Sequence, residues 1–133
     1  MTQSPTSEVP LKKPTEAELD ILRVLWSIGP ATVRDVHEVL SATRTTGYTT
    51  VLKTLQIMTE KGLTVREEAG KAHIYSPAMA EADMQTQLLK DLSEKLFAGS
   101  PALLAMHALS LQPASDDELK QIRALIARKS KES

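Results

Sequence analysis

A chain of 133 residues, 41% apolar and 25% charged, can bury one core or two very small ones. The absence of cysteine excludes disulfides, thiolate metal sites and cysteine nucleophiles together. The net charge of −1 decides less, because duplex phosphate responds to the local field: residues 41–66 carry Arg44, Lys53, Lys61 and Arg66 against Glu60 alone.

With only four aromatics (Trp26, Tyr48, Tyr75 and Phe97), an aliphatic, charged, helix-favouring composition predicts a mainly α protein. No run of residues approaches the roughly 18 apolar positions of a membrane span. The first residues, MTQSPTSEVPLKKP, lack the apolar stretch of a signal peptide, so a cytoplasmic location is expected.

Residues 1–14 hold three prolines and no apolar period, which predicts a disordered arm. Thr15-Glu16-Ala17-Glu18 then has capping-box spacing and opens a first helix, about 16–28, with Leu19, Leu22, Leu25 and Trp26 on one face. Gly29-Pro30 ends it. Ala31-Thr32 is long enough only for a bridge to a later strand. Thr32 caps a second helix, about 33–42, with Val33, Val36, Val39 and Leu40 inward. The polar run SATRTTG separates it from a third helix, about 48–61, which Gly62 closes.

Past Gly62 the period changes from helix to strand. LTVREEAGKAHIYSP alternates on either side of Ala69-Gly70-Lys71, where glycine allows the positive φ of a hairpin turn. Three short helices followed by a hairpin form a winged helix-turn-helix over about 15–77. An apolar α-hairpin, or a ribosomal-type helix–hairpin, would permit the same pattern.

From 78 onward the chain reads as helical, with segments at about 81–98, 102–111 and from 116. Leu88, Leu92, Leu96 and Phe97, then Leu103 and Leu104, then Leu119, Ile122, Leu125 and Ile126 give these helices more apolar surface than they can bury among themselves. Such an unpartnered strip predicts a helical dimerisation domain over 78–133, with packing back onto the first domain as the alternative.

The third helix mixes an apolar stripe (Val51, Leu55, Met58) with hydroxyls at its start and a lysine on its outer side. A helix half buried and half docked in a major groove requires this mixture. Thr49 or Thr50 can bond phosphate or base edges, Lys53 lies one turn on, and Thr54 is beside it. Arg44, Thr45, Thr46 and Tyr48 lead into the same face. Thr49 and Thr50 could also do no more than cap a solvated helix. On the hairpin, Arg66 and Lys71 are candidate phosphate contacts, with Glu67 and Glu68 working against them. Tyr75 is expected to pack on the domain. His37, His73 and His107 fall in separate elements without metal-ligand spacing, and no phosphate loop or catalytic constellation stands out. No metal, cofactor or enzymatic activity is expected.

EAELDILRVLW (Glu16 to Trp26), TTVLKTLQIMTEKGLTVREEAGKAHIYSP, Phe97-Ala98-Gly99-Ser100 and the closing DELKQIRALIARK carry a resemblance that spans about 15–130. The chain resembles the penicillinase-repressor family (BlaI/MecI/CopY type) of transcriptional regulators. The resemblance implies a homodimeric repressor on a dyad-symmetric double-stranded operator, with recognition contacts carried over onto Thr49, Thr50, Lys53 and Thr54. It also implies, for many members, a membrane sensor metalloprotease as partner, whose cleavage of the C-terminal domain ends repression. Two departures matter. The cysteine cluster of copper-responsive relatives is absent, and Asp91-Leu92 stands where drug-responsive relatives often place the scissile Asn-Phe. A winged-helix adaptor that binds protein and never DNA is the reading from another functional class.

Overall fold

The computed structural model describes residues 13–132; the arm expected over 1–14 lies outside them except for Lys13 and Pro14. Helix α1, Glu16–Ile28, begins at the predicted capping box. The Thr15 hydroxyl accepts from the Glu18 N–H at 3.2 Å, and the Glu18 carboxylate accepts from the Thr15 N–H at 2.9 Å. Helix α2, Val33–Ser41, repeats the device with Thr32 and Asp35. Helix α3, Tyr48–Lys61, stops at Gly62, whose φ of 84° is the left-handed conformation that lets its N–H reach the last carbonyls.

Strands β1, Thr64–Ala69, and β2, Ala72–Pro77, pair antiparallel from Thr64↔Pro77 to Ala69↔Ala72. Gly70, at φ 64°, turns the chain between them. The Ala31 bridge forms as the sequence suggests: Ala31 N–H donates to the Tyr75 carbonyl at 3.0 Å, and Tyr75 N–H to the Ala31 carbonyl at 2.8 Å.

The core lies between these elements. Leu22 and Leu25 of α1, Val36 of α2, Val51, Leu55 and Met58 of α3, and Tyr75 of β2 are all buried in it. Each aliphatic side chain removed from water in this way contributes about 1.5–3 kcal/mol. Trp26 packs on the margin, and its indole N–H donates to the Met79 carbonyl at 3.0 Å.

Helix α4, Glu81–Leu96, runs through the division between two compact units, the first ending at Leu88 and the second starting at Leu89. Met84 is buried in the first unit's core and Leu88 packs against it, so the opening turns of α4 belong with the winged fold.

In the second unit the end of α4 is followed by a turn in which Ala98 and Gly99 both have positive φ. Ser100 caps α5, Pro101–Leu111, with its hydroxyl 3.0 Å from the Leu103 N–H. Ser115 and Glu118 form a capping box at the start of α6, Asp116–Glu132, at 3.1 and 2.9 Å. Neither α5 nor α6 has a buried residue among those described.

Candidate nucleic-acid interface

Helix α3 has two chemically distinct sides. Val51, Leu55 and Met58 are inserted in the core, while Tyr48, Thr49, Thr50 and Lys53 are exposed. Thr54, half-buried between the two sides, donates its hydroxyl to the Thr50 carbonyl at 2.7 Å, leaving oxygen lone pairs to accept from a ligand. The first turn contains no acidic residue, and the N-cap, Gly47, has no side chain to bond the free amides. This end therefore presents backbone N–H groups and a partial positive charge to solvent. Gln56 and Ile57, which the sequence reading did not single out, are exposed further along.

Arg44 and Thr45 are exposed in the turn before α3, and Thr46 is half-buried. Arg44 reaches back to α1, where its guanidinium meets Asp20 Oδ2 at 2.8 Å; Arg23 approaches the other oxygen of that carboxylate at 3.4 Å. A phosphate would compete with Asp20 for Arg44. On the hairpin, Arg66 lies in β1 opposite Tyr75 and Lys71 in the turn after Gly70, both exposed beside the exposed Glu67 and Glu68. Tyr75 is part of the core, as the sequence suggests, and nearby His73 has a buried Nδ1 with no hydrogen-bond partner among the described residues.

The positive balance of residues 41–66 is thus partly neutralised by α1. Lys61 Nζ lies 2.7 and 3.0 Å from the two oxygens of Glu18, itself 4% exposed. Burial acts to raise the Glu18 carboxyl, but the hydrogen bond and charge of Lys61 and the bonds to Thr15 outweigh it, holding the group below its ordinary value. Lys53 and Arg66 pair with no carboxylate among the described residues.

The sequence offers His37 only a metal-ligand role, which its spacing argues against. In the structure it contacts the entry to α3: its Nε2 is 2.8 Å from the Thr46 carbonyl, and its ring meets Tyr48 edge-on at 5.9 Å. A partner nine residues away across an irregular turn leaves no periodic signal. The pairings of Glu18 with Lys61 and of Asp20 with Arg44 were missed for the same reason.

The candidate dimerisation residues are also placed. Leu88 packs on the first unit, while Leu92, Leu103, Leu125 and Ile126 are exposed and Leu96 is 70% exposed. Leu104, Leu119 and Ile122 are half-buried, as is Phe97, whose ring meets His107 edge-on at 5.6 Å. The candidate scissile pair Asp91-Leu92 is helical, within α4, with Asp91 3.2 Å from Lys95 one turn on. Among the described residues no helix is long and apolar enough to cross a membrane.

The sequence profile of the penicillinase repressor family matches residues 14–128. The transcriptional regulator BlaI of Mycobacterium tuberculosis is 33% identical over 114 residues, which cover 84% of this chain and 81% of that relative. The penicillinase repressor of Bacillus licheniformis is 20% identical over 112 residues, covering 84% of this chain and 88% of the relative. A solution structure of the monomeric form of Bacillus licheniformis BlaI with the blaP half-operator is 26% identical with a TM-score of 0.49, over 56% of this chain and 90% of that one.

Proposed function

The chain belongs to the penicillinase repressor family, and on that premise we propose that it represses transcription as a homodimer, each copy laying α3 in the major groove of one operator half-site. The observation that carries this reading is the division of α3. One side is fixed in the core, and the other offers Thr49, Thr50 and Lys53 beside an N-terminus without acid or cap. Threonine hydroxyls and a lysine suit base edges and phosphates alike, and the helix N-terminus suits phosphate. Arg66 and Lys71 extend the cationic surface along the hairpin, and Arg44, Thr45, Thr46 and Tyr48 flank its other end.

Support for the homodimer comes from the second unit. Leu96, Met106, Leu111 and Ile126 are each more than half exposed there, and α5 and α6 bury no residue of their own. An apolar surface of this kind calls for a partner, and a second copy of the same face gives closed two-fold symmetry matching a dyad operator.

Release from DNA follows from the same division. Cutting α4 beyond Leu88 leaves the winged unit its core but separates it from the apolar surface that pairs two copies. Proteases hold their substrates extended, so cleavage at Asp91-Leu92 requires that part of α4 to unwind first. Immunoblots before and after induction test this step: a repressor that stays full-length while its genes switch on excludes proteolysis.

A salt titration of binding to duplex DNA tests the central claim. Affinity should fall linearly on a log–log plot, with a slope of about −0.9 per phosphate neutralised. A chain that binds protein partners but shows no salt-dependent duplex binding is an adaptor.

A further inference from the structure

The docking helix starts without a cap of its own. Thr15, Thr32 and Ser100 each bond the first turn of their helices, whereas Gly47 has no side chain with which to do so. What holds this start comes from α2. His37 lies four residues before Ser41, on the same side of α2, and its imidazole spans the N-cap. It bonds the residue before Gly47 through the Thr46 carbonyl at 2.8 Å and touches the residue after it through the Tyr48 ring at 5.9 Å and 74°. A carbonyl cannot donate, so the proton resides on Nε2 and is given to Thr46. Ser41 Oγ, 3.2 Å from the same nitrogen, is a second acceptor.

We propose that His37 is a positioning residue for sequence recognition: by clasping Thr46 and Tyr48 together it sets the entry of α3, and with it the placement of Thr49 and Thr50 against base edges. This rests on the reading of α3 as the docking helix. His37 itself is half-buried and acts without touching DNA. Its effect is on discrimination, since base-edge hydrogen bonds demand closer geometry than phosphate attraction does.

The test uses the full-length protein and a duplex enriched from a random pool by the wild type. His37→Leu and His37→Gln are compared on that duplex and on an unrelated one at fixed salt. Thermal midpoints and amide exchange across α3 are followed in parallel. His37→Leu should lose about three- to tenfold in the ratio of the two affinities, the worth of one hydrogen bond. Its affinity for the unrelated duplex should hold, and exchange should quicken at Tyr48 to Val51 but not at the far end of α3. Glutamine, whose amide N–H lies near the position of Nε2, should restore discrimination to within about twofold. His37→Phe keeps the ring and loses the N–H, and decides the matter should the leucine variant fail to fold.

Undiminished discrimination in both the leucine and phenylalanine variants overturns the proposal. So does an equal loss on both duplexes, or a glutamine variant no better than leucine. A wild type that enriches no duplex sinks the docking reading itself and this proposal with it, a result seen before any variant is made.

Discussion

The two compact units use similar helical sequence to opposite ends. In the first, α1, α2, α3 and the hairpin bury Leu22, Leu55, Met58 and Tyr75 almost completely, and long-range polar bonds fasten the edges. In the second, helices with equally good caps and a richer leucine content bury only a serine, Ser93, to that degree among the described residues. Capping and periodicity therefore make helices in both units, but only the first has its own interior. Apolar residues in the first unit act on folding, and those of the second supply the surface proposed for association.

Removing one unit breaks this comparison most sharply. A fragment ending at Leu88 should unfold cooperatively and sediment as a monomer, whereas residues 89–133 alone should show no cooperative transition at low concentration. The intact chain should sediment as a dimer at micromolar concentration, and the fragment should bind a full operator at least about a hundredfold more weakly for want of effective concentration. A monomeric intact chain would refute the dimer.

Truncating single side chains sharpens the contrast. Leu55→Ala, in the first core, should destabilise by about 2–5 kcal/mol in denaturant titrations. Leu96→Ala should leave the first unit's transition alone and instead raise the dimer dissociation constant. Equal effects of both changes on one transition would mean that the units share a single core.

The Glu18–Lys61 pair gives a somewhat smaller effect with a pH signature. Glu18→Gln should cost up to about 3 kcal/mol at neutral pH, the low end for a buried pair because Lys61 keeps 24% of its side chain exposed. The Glu18 carboxyl is held below its ordinary 4.5, so its contribution is complete above that pH and is lost as pH falls through the lower folded value. Stability of the glutamine variant should accordingly fall less steeply with acid over that window.

Smaller still is the change at the proposed docking surface, where folding should not be affected. Lys53→Ala should leave the thermal midpoint unchanged. If Lys53 holds a phosphate, the salt slope drops by about one; if it reads a guanine, discrimination at one base pair falls by about 1–3 kcal/mol. Unchanged affinity and slope would show that another surface docks. Gly47→Asp supplies the missing cap together with a negative charge, so the fold should gain a few tenths of a kcal/mol, roughly, while duplex affinity falls.

Much of the fold was legible because its signals are local. Thr15 with Glu18, Thr32 with Asp35 and Ser115 with Glu118 announce helices within four residues, and Gly62 and Gly70 mark positions where the backbone must take positive φ. The exposed face of α3 was readable for the same reason. What the sequence hid were meetings between distant residues. Nothing near Arg44 indicates that Asp20 will hold it, and nothing in the helical period of α4 shows that Met84 belongs to the winged unit's core. His37 was the largest omission, because its partners lie across an aperiodic turn.

The Trp26 bond to the Met79 carbonyl spans 53 residues, and Met84 lies further along the chain. During synthesis α1 must therefore wait for the hairpin and the opening turns of α4 to leave the ribosome before its core can close. The apolar surfaces of α5 and α6 emerge only after that. Because domains fold as units from the N-terminal end as the chain is made, each nascent repressor can finish its winged unit before it exposes the surface proposed to meet a second copy, and the order of elements along the chain would then separate folding from assembly in time.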